Sequence, residues 1–393
     1  MRIDSLAIDG IGGILHLELN FIAGMNVICG ANGVGKTTIL DIISDAFIFN
    51  APSKLRKNAL CATGKYNITI DLGNGTKQLL ENREQNVEEF EPTADPYRRG
   101  WRTYSRNLFC FNIDRSIPYS KLEAVTADPK REDYTTGEMA VKGIRAHDIK
   151  NWFVNRYLFV DKSGSLTEEQ VRNFRLAEKV FGILDNTVNF KTVIARSYDI
   201  LLSTSKGDIY FEYLSSGYKS CIYIILGIIK EIEYRTSEKP VAAEAFDGVV
   251  LIDEIDLHLH PTWQAKLINT LKSIFPYAQF ILTTHSPSVL QALTRDEIIA
   301  LGSDDTGHPY LKELNLGEHG LQGWTLEEIL KYIMEMPTTT SSLYQETLKR
   351  FDEAMNHENR ELILQEYKLL KEMLHPNNPL HRLLALQVAE WEE

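Results

Sequence analysis

Ile14, His16, Glu18 and Asn20 interleave with Leu15, Leu17, Leu19 and Phe21, the period of a half-buried strand. Met25-Asn26-Val27-Ile28-Cys29 then runs apolar into Gly30, as a buried parallel strand does. Ile39, Leu40, Ile43 and Phe47 follow at helical spacing over 37–47. Tyr66, Ile68 and Ile70 alternate with polar residues, Gly73-Asn74-Gly75 supplies a turn and Gln78-Leu79-Leu80 returns, which predicts a hairpin over 65–84. From about 85 to 140 the chain is polar and interrupted by Pro92, Pro96, Pro118 and Pro129. Loops are predicted there, with one short strand at 107–111. Amphipathic helices are predicted near 145–157 and 167–185. A second hairpin runs from Asp199–Leu202 through Lys206-Gly207-Asp208 to Ile209–Tyr213.

The later part of the chain changes rhythm. Tyr218 to Tyr234 reads as a long apolar helix, Val249 to Ile252 as a buried strand, Thr262 to Phe275 as a helix and Gln279 to Leu282 as another buried strand. Strand and helix in alternation predict parallel βαβ units and an α/β fold. Past residue 324 helices are predicted near 325–335, 341–356, 358–374 and 379–391. Leu326, Ile329, Leu330 and Ile333, and later Leu362, Ile363, Tyr367, Leu369 and Leu370, lie at helical spacing. Helices this short must pack on something, either the preceding lobe or a partner. No internal repeat is visible, and no heptad run that would make a long coiled-coil arm.

Composition narrows the classes. The 393 residues are 44% hydrophobic and 24% charged, a globular balance that suits two or three packed units. A net charge of −12 argues against a surface that embraces nucleic acid everywhere. The four cysteines are scattered without a CxxC pair, so neither a disulfide framework nor a zinc site is indicated. The N-terminus MRIDSLAIDG lacks the apolar core of a signal peptide, and the apolar run Cys221–Ile229 is too short to span a bilayer. The expectation is a soluble cytoplasmic protein that does not enter a membrane.

Gly30-Ala31-Asn32-Gly33-Val34-Gly35-Lys36-Thr37 fits G-x-x-x-x-G-K-[ST], between a buried strand and a helix. Glycine lets backbone N–H groups converge on phosphate oxygens, and the helix N-terminus adds partial positive charge. Asn32, Gly33, Val34, Gly35, Lys36, Thr37 and Thr38 are therefore the candidate ATP-binding residues. Lys36 faces the β- and γ-phosphates, and the Thr37 hydroxyl is placed for Mg²⁺. Val249–Ile252 ends in Asp253-Glu254-Ile255-Asp256, where Asp253 is a candidate for the Mg²⁺ shell and Glu254 for general base. By itself such a turn is also read as a solvated acidic corner. Ser215-Ser216-Gly217 opens a helix, an anion-binding corner that doubles as an ordinary N-cap. His285 ends the next buried strand, within reach of a γ-phosphate.

These four motifs, in this order, resemble the ABC-type ATPase heads of SMC and double-strand-break-repair proteins. LSSGYKS, LIDEIDLHLHPTWQA and LTTHSPSVL more specifically resemble the short ATPases of bacterial anti-phage systems such as Septu, PARIS and retron-associated ATPases. The resemblance covers residues 1–50 and 190–300 well and 85–185 poorly. It implies a P-loop NTPase with a mixed sheet, an antiparallel lobe, a helical and loop-rich insertion and a helical C-terminal tail. The units expected are 1–84 and 189–323 for the ATPase, 85–188 for the insertion and 324–393 for the tail. It also implies Mg-dependent hydrolysis of ATP, with Glu254, His285 and Lys36 catalytic and Thr37 and Asp253 holding Mg²⁺. Ser215 and Gly217 would reach the nucleotide of a second subunit, giving a homodimer that can grow into a higher oligomer. The effector, a nuclease by this analogy, would be a separate chain.

Departures remain. Ser216 and Tyr218 stand where transporters have Gly and Gln, and the lid-loop glutamine has only Asn112 or Asp114 as replacements. The mixed basic and aromatic stretch from Tyr97 to Arg106, which Lys54, Arg56 and Lys57 would extend, has the composition of a nucleic-acid groove. A solvated loop accounts for it better. His258 and His260 alternate as metal ligands do, without further ligands nearby in sequence. The alternative reading is a repair or chromosome-associated ATPase that binds DNA directly. It calls for long coiled-coil arms. A transporter's ATPase subunit calls for a closer LSGGQ and a shorter insertion.

Overall fold

The computed structural model describes residues 1–48, 53–73, 76–81, 102–115, 119 and 121–391. The chain divides into two units, Met1–Glu335 and Met336–Glu393. The strands of the first are β1 (Arg2–Ile11), β2 (Ile14–Asn20), β3 (Met25–Gly30), β4 (Lys65–Asp71), β5 (Lys77–Glu81), β6 (Leu108–Phe111) and β7 (Asn189–Ile194). They continue with β8 (Asp199–Thr204), β9 (Gly207–Tyr210), β10 (Val249–Ile252), β11 (Gln279–Thr283), β12 (Ile298–Ser303) and β13 (Pro309–Leu311). Its main helices are α1 (Lys36–Asp45), α2 (Asp133–Lys142), α3 (His147–Phe159), α4 (Glu168–Leu184), α5 (Ser216–Arg235) and α6 (Pro261–Ile274).

The central sheet has the order β13-β12-β3-β11-β10-β6, parallel except for β13. β3, β6, β10 and β11 are buried at every position, which is why they read as unbroken apolar runs. Alternate residues feed two cores. Val27, Phe109, Val250 and Leu282 pack with the α3–α6 side, and Ile28, Cys110, Leu251 and Ile281 pack with α1 and the antiparallel sheet β2-β1-β4-β5. A third sheet, β7-β8-β9, precedes α5. The architecture is α/β with mixed sheets. The carboxyl ends of β3, β11 and β10 stand side by side, the place where open α/β sheets bind ligands.

Several elements differ from the sequence reading, among them β1, β12 and β13, which it does not name. α2 occupies 133–142, inside the stretch read as loop. Its first turn is held from outside, by Ser105 Oγ against Thr136 Oγ1 at 2.6 Å and by Arg106 on Asp133 at 2.7 Å. β7 turns the second hairpin into three strands. Asn74 and Gly75, and residues 97–101 of the basic and aromatic stretch, lie outside the described residues.

α5 is buried along most of its length, charged residues included. Glu231 meets Lys230, Arg235 and Arg131, each at 3.0 Å, and Arg131 also holds Asp148 at 3.1 Å. Burial pushes the Glu231 carboxyl up, but the three cations outweigh it and leave it well below the usual carboxylate range. Glu233 accepts from Trp152 Nε1 at 2.8 Å and Arg156 Nε at 2.7 Å. Helices α3 and α4 also pack on α5. Among the described residues no helix is long and apolar enough to cross a membrane.

Among the described residues the second unit has three helices, Ser342–Asn356, Arg360–Met373 and Leu380–Val388. Ser341 and Asn359 cap the first two. Phe351, Ala354, Ile363, Leu370, Leu384 and Val388 form its own core, while Ile329, Ile333 and Met334 belong to the core of the first. A chain ending at Glu335 should therefore stay soluble, with a melting temperature within a few degrees of the full chain. Aggregation of that truncation on purification would refute the independence of the two cores.

Candidate active site

The loop after β3 is built from backbone conformations that side chains resist. Gly33 has φ +80 and Gly35 φ +94, and a Cβ on Gly33 would meet nothing, so the conformation rather than crowding demands glycine there. Gly35 is the N-cap of α1 and makes no side-chain cap hydrogen bond, so the first-turn N–H groups face the loop uncapped. Lys36 is 4% exposed, and its Nζ donates to the carbonyls of Gly30 at 2.9 Å and Ala31 at 2.8 Å. Burial lowers its pKa, against the opposing pull of Glu254, Asp253 and Asp256. A buried ammonium satisfied, among the described residues, by carbonyls, beside uncapped N–H groups, fits a phosphate chain.

Across the loop, Thr37 Oγ1 donates to both oxygens of Asp253, at 3.2 and 3.1 Å. Thr283 Oγ1 donates to Asp253 Oδ1 at 2.6 Å and accepts the Glu254 N–H at 2.7 Å. This hydroxyl–carboxylate pair from α1 and the end of β10 fits a divalent cation with oxygen ligands. Glu254 itself has φ +48, a left-handed backbone unusual for glutamate. Asp256 accepts from Thr284 Oγ1 at 2.6 Å and from the His285 N–H at 3.2 Å. His285 is half-buried, and burial and the Lys36 charge push its pKa below the ordinary value. In its neutral form the ring keeps one N–H to donate.

Lys36, Thr37, Asp253, Glu254 and His285 thus come together from three neighbouring strand ends. Ser215 and Gly217 do not join them. Ser215 is exposed and caps α5 by accepting the Tyr218 N–H at 3.3 Å. Among the described residues no hydrogen bond links 215–217 to the loop at 30–38. A Cβ on Gly217 would lie 2.8 Å from the His258 carbonyl oxygen, so glycine is also needed for packing within one chain. His260 caps α6 through Thr262. Lys54, Arg56 and Lys57 donate to the backbone carbonyls of Val141, of Ser53 and Leu55, and of Cys61. Asn112 turns to the Val141 carbonyl at 3.1 Å. The side chain against the acidic strand end is instead Arg115, which no motif marks; its Nη2 donates to the carbonyls of Asp253 and Glu254.

A family model described as "AAA domain, putative AbiEii toxin, Type IV TA system" matches residues 111–291, and a second, "AAA domain", matches residues 5–192. The Septu protein PtuA of Bacillus thuringiensis is 44% identical over 394 residues, covering 99% of this chain and 98% of its own. The chain belongs to the Septu PtuA family. The retron Vc95 probable ATPase of Vibrio cholerae serotype O1 biovar El Tor is 24% identical over 351 residues, 69% of this chain and 68% of that one. Among solved structures, the SMC head domain from Thermotoga maritima aligns with a TM-score of 0.42 at 14% identity, covering 80% of this chain and 100% of that one. This PtuA-family chain is an ATPase of the Septu and retron anti-phage type.

Proposed function

We propose that the chain binds ATP with Mg²⁺ in the loop at 30–38, hydrolyses it within a two-subunit sandwich, and uses that cycle to switch a separate effector. The observation that carries the reading is the convergence of Lys36, the Thr37–Asp253 pair, Glu254 and His285 at adjacent strand ends. Asn32 to Gly35 and Thr38 supply backbone donors to the phosphates, and Lys36 neutralises the β/γ oxygens. Thr37 and Asp253 would hold Mg²⁺, which when bound offsets phosphate charge. Glu254 accepts a proton from water as its oxygen bonds to the γ-phosphorus. The bond to the β–γ bridging oxygen breaks, and ADP leaves with that electron pair. His285 donates a ring N–H to a γ-oxygen.

Ser215 and Gly217 are assigned to the nucleotide of the second copy, because the exposed α5 N-terminus offers donors that its own loop does not use. Kinship with Septu and retron proteins supports a cytoplasmic defence role with a separate effector, a nuclease being the class proposed. Mixing separates a shared site from a private one. Ser215→Arg and Lys36→Ala should each be inactive alone. Subunit exchange at equal ratio makes half the dimers mixed, each with one intact site, so about a quarter of wild-type turnover should return. Full activity of Ser215→Arg alone would make the corner an ordinary helix cap.

A further inference from the structure

Arg115 stands just beyond β6 and is 4% exposed. Buried arginines are ordinarily matched by a carboxylate. This one is placed on backbone. Its Nε donates to the Asn112 carbonyl at 3.1 Å, and its Nη2 to the Asp253 carbonyl and, at 2.8 Å, to the Glu254 carbonyl. Nη1 is buried without an acceptor among the described residues, a kind of orphan that calls for an explanation in a native fold.

The peptides it grips are the ones that aim Glu254. A left-handed non-glycine backbone persists only where its surroundings fix it on every side. On the donor side, the Glu254 N–H goes to Thr283 Oγ1 at 2.7 Å and the Ile255 N–H to the Thr283 carbonyl at 2.9 Å. On the acceptor side, Arg115 takes both carbonyls, with Leu257 N–H sharing that of Glu254 at 2.9 Å. Asp253 N–H in turn donates to the Phe111 carbonyl at 2.9 Å, so the end of β10 is tied both to β6 and to the segment that follows it.

We propose that Arg115 is a positioning residue: it fixes the peptides on either side of Glu254, so that both acidic side chains keep their station, and it makes that station depend on the loop after β6. The proposal rests on the assignment of Glu254 as base. Letting those peptides turn would swing the carboxylate, and a misplacement of about 1 Å costs on the order of 10²-fold in rate.

The test compares Arg115→Met, which keeps the buried stem and removes the donors, with Arg115→Lys, which restores one. Steady-state ATP hydrolysis and binding of a fluorescent ATP analogue are measured on the full chain. Arg115→Met should lower kcat by about 10–100-fold while analogue affinity stays within about threefold, with Arg115→Lys in between. In a Glu254→Gln background, Arg115→Met should add no further loss. Wild-type turnover in Arg115→Met, or an affinity loss as large as the rate loss, overturns the assignment. If Glu254→Gln turns over normally while Arg115→Met binds yet stays slow, the base assignment fails and the clamp stands through Asp253. Should Arg115→Met not fold, the same rate-against-affinity split in Arg115→Lys decides, normal turnover there overturning the need for the two-carbonyl clamp.

Discussion

Lys36→Ala should lower ATP hydrolysis by about 10³-fold, since deleting one preorganised donor from a water-excluded anion site already costs on the order of 10²–10³. The structure adds a second expectation. The ammonium is 4% exposed and, among the described residues, bonded to the Gly30 and Ala31 carbonyls, so it carries a desolvation cost that alanine removes. Lys36→Ala should therefore melt close to wild type without nucleotide. What it should lose is the rise in melting temperature on adding ATP, worth roughly 2.7 kcal/mol at a hundredfold excess over Kd. Thermal scans with and without ATP check both halves. A variant that still gains stability from ATP and hydrolyses it would remove the foundation of the reading.

Glu254→Gln is expected to keep ATP and lose turnover by about 10²–10⁴-fold, the usual worth of a positioned base. The amide has the same shape but accepts no proton. The backbone should hold, because Thr283 and Arg115 grip main-chain atoms and not the side chain. With hydrolysis blocked, the ATP-bound sandwich should accumulate. Light scattering after gel filtration should then record an ATP-dependent dimer in Glu254→Gln that wild type holds only briefly. Single-turnover hydrolysis at the wild-type rate would assign the base elsewhere.

The residues of this site that sequence made legible share one property: each motif is contiguous and closes an apolar run. Gly30–Thr37 follows β3, Asp253-Glu254 follows β10 and His285 follows β11, so pattern and chemistry coincide. Arg115 also follows an apolar strand, but it belongs to no motif. Its role exists only because β6 lies parallel to β10 with Phe111 opposite Ile252, and strand order is not written in either strand. For Gly217 the sequence offers an anion corner or a helix cap but not the packing reason, since the His258 carbonyl that excludes a side chain comes from a distant segment. α2 escaped because Thr135-Thr136-Gly137 dilute its helical pattern, and tertiary contacts at Ser105 and Arg106 compensate. The apolar look of α5 concealed the opposite case. Lys230, Glu231, Glu233 and Arg235 interrupt it, yet each is buried and paired.

The position of β3 between β11 and β12 has a consequence for how the protein is made. The strand that launches the phosphate loop leaves the ribosome well before its two neighbours, which come from residues 279–303. At 5–20 residues per second, about 250 residues of further synthesis take roughly 10–50 s. Throughout that interval a strand apolar on both faces has no sheet to join, and such pairings between distant segments also form slowly once both partners exist. ATP cannot rescue the nascent chain, because the pocket has no far wall until β10 and β11 arrive. Yield in a foreign host should therefore depend on chaperone supply and growth temperature more than on nucleotide, and a ribosome stalled before β11 should hold its product in a protease-sensitive form.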